Sequence, residues 1–343
     1  MPQSPVYLTF AFCLALAASP AAAADGTCDG ATDTDNRIEA CTAILEQEGL
    51  PACDRFGAYV NRAHAYEDKH LRNPAAADYS SAIELARDPC IPRNLRALAY
   101  SNRGVIFYNS GKYRPALDDF NSAVEFGPDE PIHYLNRGQV FYIQGDTSRA
   151  IADYGVALKL DPNFRDAYFN RGLTHAREGD HYKAIADYTR LIELNPEDAE
   201  AYLNRGISYF ALADFDKASA EFAQAVRFSK NPYFPIWRYL AEARRGQNAP
   251  PELEASAKRI WSRLWPYPAI ELYLGKTDRD SVLTAAMGLT QQCEANFYSG
   301  EWSILQSKPG DAETFLQKAA ELCAKDVPQY AMSAQAELKR LRP

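Results

Sequence analysis

The chain is poor in the residues that carry chemistry. It has only five histidines, His64, His70, His133, His175 and His181. No two stand three or four apart, the spacing that sets a metal-binding pair on one helix face. G-x-S-x-G, H-E-x-x-H and Gly-rich phosphate loops are all missing. Neighbouring carboxylates such as Asp118 and Asp119 would point apart on a helix. These absences predict no enzyme, no cofactor and no metal. Clusters of Lys and Arg are missing too, and 45 acidic against 37 basic residues leave a net charge of −8. A nucleic-acid partner is thereby disfavoured.

Residues 1–24 lack any charged side chain. An apolar stretch from Val6 to Ala18 precedes Ala22-Ala23-Ala24, the pattern of a cleaved secretory leader, too short to span a bilayer. Cys28 follows Asp25-Gly26-Thr27, too polar for a lipid-attachment site, so no membrane anchor is expected. Seven cysteines become six if Cys13 leaves with the leader, an even number that suits an oxidising compartment. The expected location is the periplasm.

Against these absences stands one strong presence. Asn-Arg-Gly recurs at 102–104, 136–138, 170–172 and 204–206, in steps of 34 residues. With Gly104 at position 8, position 20 is Ala116, Ala150, Ala184 and Ala218, and position 24 is Phe120, Tyr154, Tyr188 and Phe222. Pro128, Pro162 and Pro196 close three units. A fixed period of 34 with these residues is the mark of tetratricopeptide (TPR) helix hairpins. The expected fold is an all-α TPR helix-hairpin solenoid with five clear repeats. Asn61-Arg62-Ala63 opens the earliest repeat, separated from the next by an insert at 90–96. A degenerate sixth repeat at 293–326 puts Gly300 at position 8. The expected division is an N-terminal helical extension at 25–55, repeats at 56–232, and a helical C-terminal region at 233–343 that ends in a capping helix.

Two polar columns run through the repeats. In the five clear repeats position 7 is Arg and position 23 acidic, in Arg62/Asp78, Arg103/Asp119, Arg137/Asp153, Arg171/Asp187 and Arg205/Glu221. The sixth repeat loses both, to Ser299 and Phe315. Joint loss suggests a partly buried ion pair, within a hairpin or between neighbours, rather than a ladder for a charged ligand. Position 6 is Asn at Asn61, Asn102, Asn136, Asn170 and Asn204. In TPR hairpins this position faces the concave groove, where an amide can grip an extended peptide backbone. Around it lie Ser101, Leu135, Phe169 and Leu203 at position 5, Val105, Leu173 and Ile207 at position 9, and Tyr108, Tyr142 and Phe210 at position 12. Either a peptide occupies this apolar face or the chain's own C-terminal region covers it. Arg177 alone brings a basic side chain to the groove positions of the four central repeats, so capture of a terminal carboxylate is not expected. His175, at position 11, reads as a core histidine.

Repeat geometry also pairs the cysteines. Cys293 and Cys323 lie at the open ends of the two helices of the sixth hairpin, and Cys53 and Cys90 flank the first hairpin likewise. Cys28 and Cys41 remain for each other.

Beyond the repeats, YFPIWRYLAEARRG at 233–246, IELYLGK at 270–276, CEANFYSGEW at 293–302 and YAMSAQAELKRL at 330–341 together resemble the "new lipoprotein I" (NlpI) family of envelope TPR proteins. The resemblance implies an all-helical adaptor, often a homodimer, that brings peptidoglycan hydrolases and a periplasmic protease together. This chain departs from the family in lacking a lipid-attachment site and in its cysteines. The function it implies is a scaffold for envelope proteins or peptides. The rival reading is a permanent subunit of an envelope assembly or homo-oligomer, its groove never free.

Overall fold

The structure, a computed structural model, describes residues 28, 33–247, 250–258, 264–324 and 327–342. The leader predicted at 1–24 lies outside them. The chain forms two compact units, one ending at Ala167 and one beginning at Tyr168. The described residues form helices and contain no strand.

The first unit begins with α1 (Thr34–Leu45), capped by Asp33, whose carboxylate accepts from the backbone N–H of Asp35 and Asn36. Three hairpins follow: α2 (Ala52–Asp68) with α3 (Arg72–Leu85), α4 (Arg93–Asn109) with α5 (Tyr113–Phe126), and α6 (Pro131–Ile143) with α7 (Thr147–Leu160). The second unit carries α8 (Arg165–Arg177) from Tyr168 on, α9 (His181–Leu194), α10 (Ala199–Ala211) and α11 (Phe215–Phe228). After them come α12 (Phe234–Arg244), α13 (Pro250–Ala257), α14 (Tyr267–Tyr273) and α15 (Arg279–Ala285). A last hairpin, α16 (Gly288–Leu305) with α17 (Pro309–Cys323), is followed by α18 (Pro328–Leu341). The insert predicted at 90–96 is only partly a loop. Residues 93–96 lengthen α4 by a turn after Pro92, whose ring suits a helix start. Arg96 then ties that turn down by donating to the carbonyls of Ile91 and Asp88.

Five of the six hairpins close on the same contact, and the first has Ala63 at that position. A Cβ at Gly104, Gly138, Gly172 or Gly206 would fall 2.7, 2.7, 2.9 or 2.6 Å from the ring at position 24. Only glycine lets the second helix come that close. Gly300 meets Leu316 in the same way, at 2.7 Å, so the sixth hairpin keeps the frame without the aromatic ring. The turn between the two helices needs a left-handed residue at position 15 in all six hairpins: His70, Gly111, Gly145, Gly179, Ala213 and Ser307. Three of them adopt it without being glycine, at roughly 1 kcal/mol or more each.

The ion pairs lie within hairpins. Arg62, Arg103, Arg137, Arg171 and Arg205 meet their acids at 2.6–2.8 Å, each through two guanidinium nitrogens. The third nitrogen of several reaches the preceding helix pair: Arg103 to Ser80 at 3.0 Å, Arg137 to Asn121 at 3.2 Å and Arg205 to Thr189 at 3.0 Å. Each guanidinium also stands 5.6–5.9 Å from the position-4 tyrosine. The sixth hairpin substitutes another device. Arg279 of α15 stacks over Phe315 at 4.5 Å and pairs with Asp311 at 2.9 Å.

The core of the second unit gathers around Trp237 of α12. Its ring lies 5.2–5.8 Å from those of Phe210, Phe222, Phe297 and Tyr330, joining α10, α11, α16 and α18. The structure joins Cys28 to Cys41, Cys53 to Cys90 and Cys293 to Cys323, with Cα separations of 5.2, 5.9 and 5.1 Å.

Replacing Arg103 by Ala strands Asp119, whose own carboxyl burial already pushes above its ordinary pKa. Arg103→Ala should cost about 3 kcal/mol, and the double variant with Asp119→Ala clearly less than the two single losses summed. Urea unfolding measures both, and strict additivity would contradict the pairing.

His133 packs against Gly127, and burial pushes its imidazole from an ordinary 6.5 down to about 4. The folded state favours the neutral ring, so this stability is complete above pH 6.5 and is lost as pH falls toward 4. The loss should approach about 3 kcal/mol at 1.4 kcal/mol per unit. His133→Leu should flatten that part of the stability-against-pH curve between pH 6.5 and 4, as read by denaturant midpoints.

Candidate functional site

On each first helix, positions 5, 6, 9 and 12 recur at helical spacing and share the inner face. The position-6 asparagines do not stand open on that face. Asn136 and Asn170 are buried, and Asn61, Asn102 and Asn204 are half-buried. Asn102 donates its amide to His64 at 2.9 Å and to the Tyr79 hydroxyl at 3.3 Å. Asn204 bonds back to the Glu200 carbonyl one turn earlier at 2.8 Å. Asn136 reaches Ser101 of α4 at 3.4 Å, and its carbonyl oxygen has no partner. A short amide held between neighbouring helices reaches its own chain first, which is why the row is engaged rather than exposed.

The apolar residues of the face are also more enclosed than the pattern implied. Leu135, Leu203, Tyr108, Tyr142 and Phe210 are buried, and Phe169 is half-buried, edge-on to Tyr188 at 6.4 Å. Tyr108 stands edge-on to Tyr113 at 5.6 Å. The cause is clearest at Phe210, where α18 packs on α10. Arg340 donates to the carbonyls of Phe210 and Ala211, both at 2.7 Å, and also holds Glu337. Arg244 joins Glu301 at 3.1 Å and Glu337 at 2.9 Å. Burial, and then the nearby Glu337, push the Glu301 carboxyl well up from its ordinary value. The C-terminal helix is thus fixed to the C-terminal end of α10.

These four charged residues were not legible as a group, since they come from α12, α16 and α18. Gln139 was also missed, though it left a signal. It puts an amide at position 9, where the following repeats carry Leu173 and Ile207 and the preceding one Val105. The side chain is 0 % exposed, and neither of its amide atoms has a partner.

Elsewhere, burial lowers the pKa of His175 and His181, and His175 lies in the interior. Glu294 accepts from the Trp265 indole, and burial pushes its carboxyl up to about 7. No cluster of His, Cys, Asp or Glu among the described residues could hold a metal ion. None of their helices is long and apolar enough to cross a membrane.

Family models described as TPR repeat or tetratricopeptide repeat match residues 138–179, 166–198 and 199–232. No curated protein matches the sequence. Two solved structures share the architecture. One is a tetratricopeptide repeat protein from Parabacteroides merdae, 17% identical, covering 82% of this chain and 99% of its own, with a TM-score of 0.54. The other is the C-terminal part of a TPR repeat-containing protein from Cytophaga hutchinsonii, 17% identical, covering 79% and 97%, with a TM-score of 0.51. At such identities the likeness is one of fold. Residues 138–232 are tetratricopeptide repeats by these models, and the chain has the TPR helix-hairpin fold.

Proposed function

We propose that this chain is a periplasmic interaction scaffold that binds other envelope proteins and has no chemistry of its own. One observation carries the reading. In an acidic protein, the inner face of α4 and α6 is uncharged at every groove position from 5 to 12: Ser101, Asn102, Val105 and Tyr108, then Leu135, Asn136, Gln139 and Tyr142. A face kept free of charge suits contact with protein. The three disulfides support an oxidising compartment. The segments that resemble the NlpI family point to clients among cell-wall hydrolases or an envelope protease, and to a homodimer.

A second reading draws on α18. Its attachment to α10 is what a permanent subunit, with its inner face filled, would show. The two readings differ in the exchange of partners. The oxidised chain, immobilised and washed with envelope extract, should retain proteins that elute with salt, in less than fixed proportion. Val105 is only half-buried, so Val105→Arg should keep the melting temperature within a few degrees and lose those partners. Partners that stay at fixed stoichiometry through high salt, and survive Val105→Arg, would favour the subunit.

A further inference from the structure

We propose that the Cys53–Cys90 bridge is a reversible thiol–disulfide exchange site, which a dithiol opens while the other two bridges stay closed. This goes beyond the scaffold reading and does not depend on it. The three bridges differ in access. Cys28, Cys41, Cys293 and Cys323 are buried, the last three completely. Cys53 is half-buried, and Cys90 is the one bridged cysteine that is exposed. Exchange begins when a thiolate reaches a sulfur, so access selects this bridge.

The turn that carries Cys90 is tied down without the S–S bond. Its backbone closes through the Asp88 N–H to the Leu85 carbonyl at 2.9 Å and the Ile91 N–H to the Asp88 carbonyl at 3.1 Å. The Asp88 carboxylate accepts the Cys90 N–H at 3.0 Å, and Arg96 donates to the carbonyls of Asp88 and Ile91, both at 2.9 Å. Ile91 is 2 % exposed and packs in the core that Phe56 and Val60 of α2 also line. The Arg62–Asp78 pair closes α2 on α3. With the bond broken, these contacts keep the two thiols near each other, and the bridge can re-form.

The direction of attack follows from the two ends. Cys53 is the second residue of α2, a 17-residue helix whose N-cap, Pro51, supplies no side-chain acceptor. The free N–H groups of that first turn stabilise a thiolate and make Cys53 the better leaving group. Asp54 beside it is exposed, so water screens its charge. A partner thiolate bonds to Cys90 Sγ, and the S–S electron pair departs on Cys53 Sγ. The partner's second thiolate then attacks its own sulfur in the mixed disulfide and releases Cys90. The partner loses two electrons and closes a disulfide, while Cys53 and Cys90 gain those electrons and the dithiol's two protons.

The oxidised full chain is treated with dithiothreitol for increasing times, quenched with N-ethylmaleimide and mapped by mass spectrometry. Cys53 and Cys90 should become labelled about tenfold or more faster than the other four. Far-ultraviolet circular dichroism should be unchanged at that stage, and oxidised glutathione should restore the bridge once dithiothreitol is removed. In a second arm the chain meets a C-x-x-C protein whose second cysteine is replaced by serine. A mixed disulfide trapped on Cys90 assigns the site to protein dithiols, and selective reduction by dithiothreitol without that adduct assigns it to small ones. Bridges that open together, a buried pair that opens first, helicity lost with the first bridge, or an adduct on Cys53 would overturn the inference.

Discussion

The close approach of a small position-8 residue to the position-24 side chain, glycine in five hairpins and Ala63 in the first, is the constraint on which the rest of the structure depends. Where Gly104 meets Phe120 or Gly138 meets Tyr154, there is no room for a methyl group. That distance sets how near the second helix lies to the first. It brings a position-23 acid within 2.6–2.8 Å of the position-7 arginine, and leaves the guanidinium one nitrogen to reach the helix pair before it. Closure of a hairpin and its link to its neighbour thus share one side chain. The sixth hairpin shows which part is dispensable. It keeps glycine at 300 and replaces the arginine by a stacking cation from α15.

With hairpins so alike, differences on the inner face carry the functional information. Asn102 is tied to His64 and Tyr79, and Asn204 to its own helix. At α10, Arg340 of α18 takes up two carbonyls at that helix's C-terminal end. Only at α6, among the described residues of these first helices, does an amide pair remain with unmatched donors and acceptors. One repeated pattern has therefore produced amides bonded to their own chain at Asn102 and Asn204 and amide atoms without partners at Asn136 and Gln139.

The period of 34 made the hairpins, the glycine contacts and the arginine pairs readable, because each depends on residues at fixed spacing along one chain segment. The sixth hairpin was readable through Gly300 for the same reason, although its first helix starts at Gly288, ahead of the expected 293. What escaped were groups assembled from distant segments. Arg244, Glu301, Glu337 and Arg340 come from three helices, and nothing in their local sequence marks them as neighbours. Burial of Asn136 and Asn170 escaped as well, because spacing assigns a side chain to a face and does not say what lies against it. The strained turns at His70, Ala213 and Ser307 were hidden because glycine fills that place in only three hairpins.

The central claim is that the inner face of α4 and α6 is the recognition surface, while α18 is a fixed part of the fold. Amide hydrogen exchange of the oxidised chain, with and without a saturating bound envelope partner, tests it most directly. The account predicts slower exchange in 93–109 and 131–143 on binding, with 199–211 and 328–341 unchanged. Faster exchange in 328–341 together with protection of 199–211 would show a partner displacing α18, and would contradict it.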